Sequence, residues 1–197
     1  LLSYNAHIDA TTHEGITALH AACTRGNIDL VRLLLQHNAS VHAVTAKGRT
    51  ALMCAVGNQY QQENAVLVVR LLIQHGADMH SVDWNGRTPL YEMADCSFED
   101  KRNIMMELLA CNARIDATMR HGRTALHEAC IRGHRNIVRL LLQHNASVDR
   151  FSNDNKTPLM YAVGNIHNSH HAVVVVHLLL QYGADIHRVD LFGQTPL

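Results

Sequence analysis

Two pairs of residues have the types and spacing of a nucleophile assisted by a base: Cys23 follows His20 by three positions, and Cys130 follows His127 by the same interval. On a helix this spacing puts thiol and imidazole on one face, where a base can activate a nucleophile. His167, His170 and His171 form a second candidate, because neutral imidazoles bind zinc. No cysteine lies near them, however, and a structural zinc site wants four ligands held in advance. The glycines are single turn residues with no Gly-Lys-Ser or Gly-Lys-Thr after them, so no phosphate-cradling loop is present. Acids are scattered rather than paired for proton transfer. The expectation is a chain with no catalytic residues, cofactor or metal.

Composition narrows the class further. The 197 residues carry 17 Lys plus Arg and 17 Asp plus Glu, a formal charge of zero, which argues against binding duplex nucleic acid by phosphate neutralisation. Apolar residues make up 47%, enough to fill a core, while charged residues at 17% fall below the usual ~25%. The five cysteines lack CxxC spacing and sit among small and apolar residues, which suits buried thiols in a reducing compartment. Runs such as Val173 to Val176 are far shorter than the ~20 residues that span a bilayer. Neither an initiator Met nor a signal sequence is recognisable. The chain reads as part of something longer, in the cytoplasm or the intracellular portion of a larger protein.

Positioning these residues falls to a repeated unit. A tetrad Thr-(Ala/Pro)-Leu-X starts at Thr17, Thr50, Thr88, Thr124 and Thr157, and a truncated copy starts at Thr195. The intervals are 33, 38, 36, 33 and 38 residues. Each tetrad follows a turn signal and precedes two apolar segments at helical spacing, so one unit is turn, helix, turn, helix. Thr17 is placed to cap the first helix, and Ile28, Val31, Leu34 and Leu35 form a stripe on the second. Two short helices cannot bury enough surface alone, so the units must stack, each covering the next. Asn38, Asn112 and Asn145 stand where Gly76 and Gly183 stand in other units, just past the second helix, as left-handed terminators.

Gly15-Ile16-Thr17-Ala18-Leu19-His20-Ala21-Ala22, Val31-Arg32-Leu33-Leu34-Leu35 and Gly76-Ala77-Asp78 resemble the ankyrin-repeat signature, and the match covers essentially the whole chain. The resemblance implies an all-α solenoid with short β-hairpin loops. It would form a single domain of units at approximately 10–42, 43–80, 81–116, 117–149 and 150–187, with partial units at 1–9 and 188–197. It also implies a concave groove lined by hairpin fingers and inner helices, and assigns His20 and His127 to hydrogen bonds between neighbouring tetrads. Met53, Tyr91 and Met160 replace that His elsewhere, so the network should break there.

On the same resemblance, a partner protein or peptide would be held by Lys47, Arg49, Trp84, Arg87, Arg120, His121, Arg123, Ile131, Arg132 and Lys156. The cations among them line one edge against few tip acids, which favours an acidic partner segment. Trp84, the only tryptophan, is a flat apolar anchor of the kind enriched at interface centres. Fold alone does not name the partner, and an array driving assembly in a secreted toxin or pathogen effector is the alternative.

A longer period overlies the short one. Shifting the chain by 107 residues aligns 1–90 with 108–197, and 52 of those 90 positions are identical. Val31 to Val41 match Val138 to Val148 throughout, whereas His42 to Arg49 and Asp149 to Lys156 share nothing. Stacking helices are thus held while exposed fingertips vary. The extra residues in Gln59 to Asn64, Ile166 to His171 and around Ser97 to Lys101 should bulge outward as loops.

Overall fold

The computed structural model describes residues 7–57, 62–95, 102–164 and 169–196. Among these, ten helices form five pairs. The inner helices are α1 (Ala18–Arg25), α3 (Ala51–Val56), α5 (Pro89–Asp95), α7 (Ala125–Arg132) and α9 (Pro158–Val163). The outer ones are α2 (Ile28–Gln36), α4 (Gln62–Gln74), α6 (Arg102–Ala110), α8 (Arg135–Gln143) and α10 (Ser169–Gln181). Inner packs on inner and outer on outer in chain order, giving a two-layered stack without a central sheet.

The tetrad threonines begin the inner helices as their chemistry requires. Thr17, Thr50, Thr88 and Thr157 each accept a hydrogen bond from the backbone N–H three residues on, at 3.2–3.4 Å. Asn38, Asn112 and Asn145 adopt φ of 62–64°, the left-handed geometry that ends an outer helix.

Small residues let the inner helices approach closely: Ala22, Ala51, Ala55, Ala94, Ala129 and Ala162 are all buried. The outer stripe is buried by the neighbouring pair. Leu30, in the first described pair, is 40% exposed, whereas Val68, Ile104 and Ile137 at the same position in later pairs are 0–1% exposed. Burial in this fold is therefore a nearest-neighbour property.

The expected short hairpins are present as finger-like turns, and among the described residues the only β pairing is an isolated bridge between Val44 and Thr50. Each finger is too short for more, since Thr45 N–H to Arg49 C=O and a Gly48 N–H to Thr45 C=O turn bond already use its backbone. One expectation changes, because part of the extra length enters the helices. α4 and α10 have 13 residues against nine in α2 and α8, so Gln62 and Ser169 onward extend a helix instead of bulging. The remaining extra residues, 59–61, 97–101 and 166–168, lie outside the described residues.

Candidate recognition site

The fingers stand side by side and are tied at their tips by one repeated backbone bond. Ala46 N–H donates to Glu14 C=O (2.8 Å), Trp84 to Lys47 (3.1 Å), Arg120 to Asn85 (3.0 Å) and Asn153 to His121 (2.9 Å). Each turn is closed by a residue with positive φ: Gly15, Gly48, Gly86, Gly122, Asn155 and Gly193. A side chain at Gly122 would strike the Asn153 backbone N at 2.7 Å, so close approach of neighbouring fingers also selects glycine there.

Beneath the tips, two histidines fasten adjacent units. Nδ1 of His20 accepts from the Thr17 N–H (3.3 Å), which leaves the proton on Nε2 to donate to the Arg49 carbonyl (3.1 Å). His127 repeats this with Thr124 (3.1 Å) and the Lys156 carbonyl (3.2 Å). Burial disfavours the charged imidazole, lowering the His20 pKa and taking that of His127 down to about 4. With both ring nitrogens engaged, neither histidine serves Cys23 or Cys130 as a base. Burial also pushes both thiols well above their ordinary range. The two Cys–His pairs are thus packing and relay residues.

The arginines expected to line the groove as open cations are instead paired. Arg49 contacts Glu92 (2.5 Å), Arg87 contacts Glu92 (3.7 Å) and Asp95 (3.5 Å), and Arg123 contacts Glu128 (3.5 Å). Arg132 bridges Glu128 (3.0 Å) and Asp95. Tyr91 adds a hydrogen bond from its hydroxyl to Glu128 (2.6 Å). Glu128 is only 4% exposed, and these three partners offset the cost of burying its charge. Burial raises the Glu92 pKa despite the flanking arginines. The acids that neutralise the edge sit on the inner helices α5 and α7, not on the tips. Their signal was in the chain, since Arg87 to Glu92 and Arg123 to Glu128 repeat the same interval of five. Tyr91 does not simply break the histidine network; it substitutes a bond to a carboxylate.

The other expected site residues divide by exposure. Lys47, Arg120 and His121 are exposed, and Trp84 is 67% exposed. Lys156 and Ile131 are half-buried. His121 and Arg123 line a hollow of about 400 Å³ with Asn153, Asp154, Tyr161 and Leu191. Glu14, Ile16, Lys47, Arg49 and Cys54 are among those lining another of about 280 Å³ between the first two fingers. Among the described residues no cluster of His, Cys, Asp or Glu could hold a metal, and no helix is long and apolar enough to cross a membrane. His167 and the side chains of His170 and His171 lie outside the described residues.

Comparison with known proteins agrees with this architecture. A family model for ankyrin repeats, in three copies, matches residues 1–83 and 93–190. The putative ankyrin repeat protein YahD of Escherichia coli is 30% identical over 177 residues, covering 89% of this chain and 84% of that protein. The mouse B-cell lymphoma 3 protein homolog is 32% identical over 161 residues, 81% of this chain but 27% of its own length. The crystal structure of the human ASB11 ankyrin repeat domain superposes with a TM-score of 0.83 at 29% identity, over 99% of this chain and 81% of that one. Helix pairs, tip ladder, tetrad caps and these matches lead to one assignment: the chain belongs to the ankyrin-repeat family.

Proposed function

We propose that this domain is a non-catalytic protein-interaction module that holds a segment of a partner protein along its fingertips and the adjoining inner-helix face. The observation carrying this reading is the combination of a backbone-bonded tip ladder with exposed side chains on it that form no ion pair among the described residues. Backbone bonds order the fingers before any partner arrives, so little chain entropy is lost on contact. Lys47, Trp84, Arg120 and His121 then project from that frame. Ankyrin-repeat domains in general mediate protein–protein interaction, which sets the class. A reducing, cytoplasmic setting fits the free thiols of Cys23, Cys54, Cys111 and Cys130.

The test is site-directed capture. A photoreactive residue at Asn85 or His121 should cross-link one common partner that binds again when both proteins are purified. The same group at Arg139, exposed on α8 of the outer layer, should not. Capture from Arg139 with none from the tips would assign recognition to the opposite face.

A further inference from the structure

We infer that Lys47, Trp84 and Arg120 together recognise an extended acidic segment of the partner, in which an aromatic or apolar side chain lies between two carboxylates, about two residues from one and about three from the other. This inference rests on the proposed interaction module and specifies the chemistry of what it binds. Charge complementarity selects the tips over the groove. Arg49, Arg87, Arg123 and Arg132 already face Glu92, Asp95 and Glu128, so the inner face offers little net attraction to an acid. Lys47 and Arg120 are exposed and form no ion pair among the described residues.

These two cations flank an aromatic ring that lies against the preceding finger. A Cβ at Gly48 would lie 2.8 Å from Cδ1 of Trp84, so the indole rests against the preceding finger, while 67% of the residue remains open. A bound cation–aromatic–cation row needs a ligand of matching pitch. The Trp84 N–H bonds directly to the Lys47 carbonyl, so these residues sit on adjacent hydrogen-bonded segments about 5 Å apart, whereas Trp84 and Arg120 hold equivalent positions on successive fingers, two such segments or roughly 10 Å apart. An extended peptide advances ~3.3 Å per residue, so about two residues span the first interval and about three the second. Single-stranded nucleic acid would also match a row of cations and a ring. Glu14, Asp83 and Asp154 on the same and neighbouring fingers disfavour a continuous run of phosphates.

The experiment titrates the folded domain with a peptide in a Gly-Ser background that bears Glu, then Phe about two residues on, then Glu about three residues further. Trp84, the only tryptophan, reports contact through its fluorescence. A saturable change is expected, weakened about tenfold by the double variant Lys47→Glu with Arg120→Glu at unchanged melting temperature. That variant should in turn bind the corresponding Lys, Phe, Lys peptide better than the unmodified protein does. Equal response to a peptide with the three residues adjacent, equal binding by the double variant, or a tighter response to oligo-dT would overturn the inference. If the peptide fails while cross-linking from Asn85 and His121 succeeds, the interaction module stands with a partner of other chemistry. If both fail, both readings fall.

Discussion

The junctions between successive units solve one problem in two ways. The first-to-second and fourth-to-fifth junctions use an uncharged relay, in which a buried histidine donates to a backbone carbonyl of the next unit. The junctions around the third unit use charge: Arg49 to Glu92, Arg132 to Asp95, and the Tyr91 hydroxyl to Glu128. The internal duplication explains the placement, because the two relay junctions are copies of each other and the third unit has no full counterpart. The two solutions differ in what breaks them. A relay fails when its imidazole is protonated, whereas a charged clamp fails when one partner is removed and the others are stranded.

The largest effect should come from Glu128→Ala, which leaves Arg123, Arg132 and Tyr91 facing a missing carboxylate at a site 4% exposed. A loss of about 3–5 kcal/mol is expected from the urea midpoint. A loss below about 1 kcal/mol would make the clamp ornamental.

Acid should act next, and on the relay. His127 has a pKa of about 4 when folded and 6.5 as its ordinary value, so between those limits the unfolded chain holds more protons. Stability therefore falls as pH drops below about 6.5, by roughly 2 kcal/mol at pH 5 from His127. His20, also lowered, adds in the same direction. Unfolding midpoints at pH 7.5 and 5 check this, and His127→Gln should flatten the difference. An equally steep profile in that variant would place the acid sensitivity elsewhere.

Arg132→Ala should cost less, about 0.5–1 kcal/mol, because its side chain is 50% exposed and water screens the pair. Smallest of all, Lys47→Glu should shift stability by no more than about 0.5 kcal/mol, since the side chain is exposed and has no ion-pair partner among the described residues. Thermal melts of the two variants side by side separate groove cations from tip cations. A larger loss at Lys47 would erase that distinction.

The solenoid was legible in the sequence because its determinants are local: a capping threonine, a left-handed asparagine and an apolar stripe each act within a few residues. The bonds from His20 and His127 to the next unit followed from the family resemblance. The charge state of the groove was not legible in the same way. Arg49 meets Glu92 across 43 positions and Arg132 meets Asp95 across 37, so only stacking brings them together. Reading cations by their position on the fingers, without the helix residues that the next unit brings beneath them, overstated how basic the inner face is. Helix lengthening in α4 and α10 was likewise hidden, because polar residues suit an exposed first turn as well as a loop.

The central claim is that the ridge of fingertips is ordered before any partner binds. Residue-resolved hydrogen exchange on the free domain tests it directly at the amides of Ala46, Trp84, Arg120 and Asn153, each bonded to the preceding finger. The account predicts protection at all four, falling when the stack is weakened by Glu128→Ala. Exchange at those amides as fast as in an unstructured loop would contradict it.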